Sequence, residues 1–428
     1  MAENHKNPLN SASNLSRTTR RRFSYSEKLR IVEAADRCTK PGELGLLLRY
    51  IIFAGFILRL FVAIWNSFFG PSFGADLDAL SFHLEAVEYA RNLTLEEFRI
   101  GWIYTNALGL FYYVTTDSLF IGCLLSCIAW LMSALILASC SRILSIERSV
   151  QAKIMLIYAL LPSLIFITSV TLREPYQLLF VNLAVYAVLK IYLHKAFGHW
   201  LTLVFAIAGA GSLHGGLLAF GILLFAGTLL LVSMREKKGI SWAKFVSLGA
   251  VGVVFLWFGF SFFGNFSYNL DKGLGSAVEI YQQGALGIDA RTNYKSDVSI
   301  SGFDDLLFFV PVGLFQYLFE PFPWHISAAS DVVALLENML RGWLIWKAWK
   351  AMRIGPAQQS RVLLFVFISY LMMETIWSLG TVNWGASIRH HLPAWGLLLL
   401  AAYAASDGKV RVKNMTQHFK NQINSAKV

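Results

Sequence analysis

Between Leu46 and Ala405 the chain runs as a succession of apolar stretches separated by short polar turns. Most stretches approach the roughly 20 residues that a helix needs to cross a bilayer. Few folds are open to such a polypeptide. In lipid every backbone N–H and C=O must find a partner within the protein, and segments of this length meet that demand as helices. Composition agrees: 56% of residues are hydrophobic, 15% are charged, and the mean hydropathy is +0.53. Soluble domains carry about 25% charged residues. The expected fold class is an all-α integral membrane protein. Residues 1–44 read as a basic cytoplasmic arm without fixed structure, 45–406 as one polytopic membrane domain, and 407–428 as a basic cytoplasmic tail. No cleavable signal peptide is expected, because the polar arm before the first span is too long for an n-region.

The net charge of +11 raises the question of nucleic acid, and position answers it. Arg17, Arg20, Arg21, Arg22, Lys28 and Arg30 precede the first span, and Lys409, Arg411, Lys413 and Lys420 form the tail. Arg235, Lys237 and Lys238, like Lys347, Lys350, Arg353 and Arg361, flank other spans. Such clusters set membrane topology and touch anionic lipid, so no nucleic-acid partner is expected. Of the four cysteines, Cys38 lies in the arm, and Cys123, Cys127 and Cys140 lie in or beside one apolar stretch. They read as small core residues, with no metal-site spacing and no disulfide framework.

The charge clusters order the spans. Leu46–Phe69 leaves the cytoplasm, with Arg49 snorkelling to the inner face and Arg59 turned to the protein interior. An outer loop, 70–106, follows. In it Leu80, Leu84, Val87 and Ala90 recur at helical spacing, which predicts an amphipathic helix on the outer surface. Leu108 to Thr115 reads as interfacial, and the second span starts near Leu119. The third runs from Ile154 to Val170, and the fourth returns to Lys190. Residues 201–234 read as two short spans joined at the glycine-rich turn around His214, which keeps Arg235, Lys237 and Lys238 inside. Phe245 to Phe263 goes out to a second outer loop, 264–331. Within it Leu306 to Phe319 does not cross. Val332–Trp346, Val362–Leu379 and Leu392–Ala405 complete roughly ten spans, with both termini cytoplasmic. Glu337 and Arg341, at i and i+4, read as an intramembrane pair.

This layout puts Asp76, Asp78, Arg173, Glu174, His214, Arg291, His325, Arg389, His390 and His391 on the outer side, from several separate connections. Carboxylates, arginines and histidines gathered at one mouth suit an anionic, polar substrate. Plainer readings stand beside this one. Asp76 suits a helix N-cap and Asp78 the favourable end of that helix's dipole. Arg173 and Glu174, before Pro175, suit a local ion pair at a helix start. Arg389, His390 and His391 suit a headgroup anchor, and Trp324 an interfacial aromatic belt.

Phe73-Gly74-Ala75-Asp76-Leu77-Asp78, between the first span and the outer helix, is similar to the acidic motif of the GT-C superfamily of polytopic glycosyltransferases. Ser169-Val170-Thr171-Leu172-Arg173-Glu174-Pro175 resembles a polar turn before the fourth span in its bacterial members. Gly380-Thr381-Val382-Asn383-Trp384-Gly385-Ala386-Ser387-Ile388-Arg389-His390 resembles a late turn ending in a basic residue. The large soluble C-terminal domain of some members is absent, and no glutamate directly follows the aspartate pair. The resemblance implies a polyprenyl-phosphate-linked sugar as donor and a glycan or lipid-linked acceptor, at the outer face of a bacterial inner membrane. It implies catalysis with Asp76 as the general base and Asp78 as its support or a metal ligand, and phosphate binding by Arg389 and Arg173, with His390, His391 and His214 as second candidates. Glu174, Arg291 and His325 are candidate contacts to donor or acceptor. The one candidate cofactor is a divalent cation, Mg or Mn, which two aspartates alone do not define. Two alternatives remain: an oligosaccharide-repeat polymerase or O-antigen ligase using diphosphate-linked oligosaccharides, and a transporter or lipid flippase.

Overall fold

The computed structural model describes residues 41–70, 76–92, 103–234, 291–294, 303–352 and 357–404; for 41–44, 76, 77, 303–307 and 357–359 it describes the backbone alone. The described residues form α-helices and short 3-10 turns, with one isolated β-bridge, Asn293 to Asn383. The chain up to Leu47 clusters as a unit of its own, and the bundle of helices is built from Leu48 onward.

The helices are α1 (Pro41–Phe68), α2 (Asp76–Asn92), α3 (Ile103–Val114), α4 (Leu119–Ile143), α5 (Arg148–Leu160), α6 (Pro162–Ile167), α7 (Glu174–His194), α8 (His199–Leu213) and α9 (Gly215–Ser233), followed by α10 (Phe303–Phe319), α11 (Ala329–Met352), α12 (Ala357–Gly380), α13 (Trp384–His390) and α14 (Trp395–Ala404). Five contain segments long and apolar enough to cross a membrane: Gly45–Phe68, Leu119–Ile143, Glu174–His194, Gly215–Ser233 and Ser360–Gly380. The protein is therefore an all-α, multi-pass membrane protein with five candidate spans among the described residues. That is half the expected ten. Phe245 to Phe263 and most of the second outer loop lie outside the described residues, as do the basic arm and tail.

The third expected span is not one helix. Pro162 has no N–H to donate, and it drives the preceding residue out of the helical region. Leu161 accordingly sits at φ −60°, ψ 123°, and α5 ends before α6 begins. In an unbroken helix the Ser163 N–H would bond the Ala159 carbonyl. Here each is taken by a charged side chain from elsewhere. The Arg59 guanidinium donates to the Ala159 carbonyl at 2.9 Å, and Ser163 N donates to Glu337 Oε1 at 2.8 Å. Arg59 also donates to Gly55 O and Thr168 Oγ1 and lies 3.5 Å over the Trp130 ring. It is turned inward as the sequence implies.

Glu337 and Arg341 do not form the expected ion pair. Arg341 instead donates to the Leu318 carbonyl and to Asn338 Oδ1, while Asn338 donates to the Glu320 carbonyl. These are carbonyls at the C-terminal end of α10, where positive charge is favoured.

The glycine-rich turn does make two helices. α8 and α9 fold back at His214, since Gly211 lies against Leu218 and Gly221 against Ile207, pairs placed almost symmetrically about residue 214. At Gly221 a Cβ would meet the Ile207 side chain, so glycine permits the close approach. α14 is buried along its whole described length and packs with α11 and α12. α7 is central too, with 67% of its apolar window buried against 22% for α1. The outer helix forms as expected. Val87 and Ala90 of the expected apolar face pack with the α3 cluster beside Phe82 and Ala86, whereas Leu80 and Leu84 are exposed.

Candidate functional site

Six of the ten outer-side candidates come together. α2 carries Asp78 in its first turn, where it pairs with Arg389 at the end of α13. α7 begins at Arg173 and Glu174, with Pro175 in its first turn, where a missing N–H costs nothing. The two do not pair with each other. Glu174 acts on Arg389, and together with Asp78 it holds that guanidinium above its ordinary pKa against the effect of burial. Arg173 turns to the Leu213 carbonyl at 3.3 Å, just before His214, and lies 5.7 Å over Phe82.

His214 has an extended backbone between α8 and α9, and its Nδ1 accepts from Gly216 N at 3.0 Å as an N-cap. A neutral ring therefore carries its proton on Nε2. Burial, reinforced by Arg173, pushes the His214 pKa down to about 3, so the ring is neutral at pH 7. Across one face of Trp377 lies His214, with centroids 4.3 Å apart, and His390 stacks on Trp377 at 4.2 Å. Thr381 Oγ1 donates to the Trp377 carbonyl, so it accepts from His390 Nδ1 at 2.8 Å. Burial and the surrounding cationic groups lower the His390 pKa. Both imidazoles serve as neutral hydrogen-bonding groups here.

Several buried polar atoms near this cluster have no partner among the described residues: Glu174 Oε2, Arg173 Nε, Gln177 Oε1 and the Tyr104 hydroxyl. Glu174 is only 4% exposed. Tyr104 packs edge-on to Phe82 and against Tyr176, and Glu174 acts on it electrostatically. Unpaired polar atoms in such a place each cost about 1–3 kcal/mol. A polar ligand would offset that cost.

The other candidates lie elsewhere. Asp76 opens α2, and its side chain is outside the described residues. Arg291 makes a two-pronged bond to Asp331, at 2.7 and 3.0 Å. Asp331 also accepts from Ser327 N, Ala328 N and Trp384 Nε1, and these donors, Arg291 first, hold its carboxyl well below the usual range. His325 lies 3.3 Å from Glu320 Oε2 and stacks parallel to Trp384 at 5.8 Å. This second group gathers at the opposite end of α13 from Arg389.

His391 is turned into the core. Its Nδ1 is 2.7 Å from Glu374 Oε2 and its Nε2 is 3.1 Å from the Tyr317 carbonyl. Sequence reasoning overlooked Glu374 and Asp331. A lone carboxylate in the apolar run Leu371-Met372-Met373-Glu374 was a legible signal for the first. Among the described residues no three His, Cys, Asp or Glu side chains converge to hold a metal ion. Asp78, the member of the aspartate pair whose side chain is described, faces the Arg389 guanidinium.

Comparison with family models, with curated proteins and with solved structures finds no match.

Proposed function

We propose that this protein is a membrane glycosyltransferase of the GT-C kind, moving a sugar from a polyprenyl-phosphate-linked donor to a glycan or lipid-linked acceptor at the outer face of a bacterial inner membrane. One observation carries the reading. A half-exposed carboxylate, Asp78, pairs with the Arg389 guanidinium, while a second guanidinium, Arg173, binds the carbonyl just before His214, a neutral imidazole with its proton on Nε2. The donors suit a phosphate, where hydrogen bonds from charged groups are short and strong. The carboxylate suits a general base.

In the reaction the acceptor oxygen attacks the anomeric carbon as the bond from that carbon to the phosphate oxygen breaks. Asp78 takes the acceptor's proton, and Asp76 opens the same helical turn. Arg389, Arg173 and His214 stabilise the charge that develops on the leaving polyprenyl phosphate. Glu174, Tyr104 and Gln177 offer unpaired polar atoms to the sugar hydroxyls. Arg291 and His325 belong to a separate group, and the buried His391 supports α13.

The reading is tested by separating donors. Purified protein is given sugars on polyprenyl monophosphate or oligosaccharides on polyprenyl diphosphate, with wild type, Arg389→Ala and Arg173→Ala compared. Transfer from the monophosphate that falls in both variants is expected. Use of the diphosphate alone would favour a polymerase or ligase. A transporter or flippase is a second reading, favoured by the α5–α6 break, because interrupted helices recur in transporters.

A further inference from the structure

Arg389 has two carboxylate neighbours of different character. Asp78 pairs with it directly, and the Asp78 side chain is 51% exposed, against 22% for Arg389. Glu174 approaches from the start of α7, is buried, and leaves Oε2 without a partner among the described residues. One neighbour can leave by a side-chain rotation into the surroundings, and the other cannot. The formal charges already balance, since Asp78 and Glu174 offset Arg173 and Arg389 while His214 and His390 are neutral. An incoming phosphate would upset that balance unless a carboxylate withdrew.

We propose that the Asp78–Arg389 pair is a substrate-exchanged latch, in which the phosphate of a polyprenyl phosphate ligand displaces the Asp78 carboxylate from Arg389. Exposed carboxylate–guanidinium pairs hold weakly. A phosphate bound in a fork by Arg389 gains more. Glu174 keeps Arg389 in place during the exchange.

The second half rests on the glycosyltransferase reading. Once released, Asp78 has free lone pairs and becomes the base that takes the acceptor's proton. The sugar leaves the phosphate for the acceptor oxygen, and the phosphate keeps the electron pair of the broken bond. In the empty site the base is sequestered by Arg389, so activation of a stray nucleophile such as water is suppressed until donor arrives.

The test separates binding from chemistry. Full-length protein in zwitterionic-lipid nanodiscs is titrated with farnesyl phosphate and, separately, with inorganic phosphate. Removing the competing carboxylate should tighten farnesyl phosphate binding about fivefold in Asp78→Asn, and likewise in Asp78→Ser. Asp78→Glu should bind like wild type. Transfer should fall about a hundredfold or more in both neutral variants. Equal or weaker binding by both neutral variants overturns the latch. An equal gain for inorganic phosphate overturns its assignment to a lipid-linked ligand. Tighter binding without transfer by wild type from any donor upholds the exchange and refutes the glycosyltransferase reading.

Discussion

Arg59→Met removes the side chain that closes the gap at Pro162. Arg59 donates to the carbonyls of Gly55 and Ala159 and to Thr168, and it covers the Trp130 face. Each hydrogen bond from a charged donor contributes about 1.5–3 kcal/mol, and a desolvated cation–π contact about 2 kcal/mol. Against these stands the desolvation of the buried guanidinium, several kcal/mol, which methionine does not incur. The methionine also leaves the Ala159 carbonyl without its partner in an apolar interior, at about 1–3 kcal/mol. The net loss comes to about 3 kcal/mol. In a chain of this size that is a fall of roughly 3 °C in melting temperature. Thermal unfolding can be followed with a thiol-reactive dye in a Cys38→Ser background, because Cys123, Cys127 and Cys140 are free and buried and become reactive only as the bundle opens. Arg59→Lys keeps a charge but not the planar fork and should fall between the two. A melting temperature within about 1 °C of wild type in Arg59→Met would refute the idea that Arg59 caps the broken helix.

Other consequences are as specific. In Gly396→Ala the new Cβ would overlap Asn182 Oδ1, and Asn182 links Ser133 to Tyr158, so a loss of about 2 kcal/mol is expected in the same melting assay. Asp331→Asn should destabilise by about 2–3 kcal/mol at pH 7. Since the native carboxyl is held low, its contribution is complete above the unfolded value of about 4 and fades as pH falls through the native value, so wild type and variant should converge only in strong acid. His214 acts with the same sign at higher pH. The unfolded chain takes up its proton near pH 6.5 while the native ring refuses it down to about 3, so native stability drops as pH falls between those values. His214→Asn keeps an acceptor for Gly216 N, and melting curves from pH 7 to 4 should be flatter for it than for wild type.

Local pattern made much of the fold legible. Apolar length located α1, α4, α7 and α12, with the start of α4 near Leu119, and the glycines around His214 marked the α8–α9 turn. Charge economy in lipid correctly turned Arg59 inward. What escaped was long-range. Glu337 finds Ser163 across 174 positions of sequence, and no periodicity announces that. The i, i+4 spacing of Glu337 and Arg341 suggested a pair, yet two helix ends with unsatisfied backbone groups drew them apart. The site was legible as a list of residue types and not as a geometry. Asp78 and Arg389 lie 311 positions apart. His390 and His391 are neighbours in sequence, yet the turn after α13 sends one toward Trp377 and the other toward Glu374.

The most direct test of the central proposal is to follow the bond itself. Purified wild-type protein and Asp78→Asn are incubated with isotope-labelled polyprenyl-phosphate sugars and a membrane glycan extract, and the products are read by mass spectrometry. The proposal predicts a new labelled glycosidic bond with matching release of polyprenyl phosphate in wild type, and neither in the variant. Label that stays on its lipid with every monosaccharide donor, or that crosses a vesicle membrane intact, would contradict it.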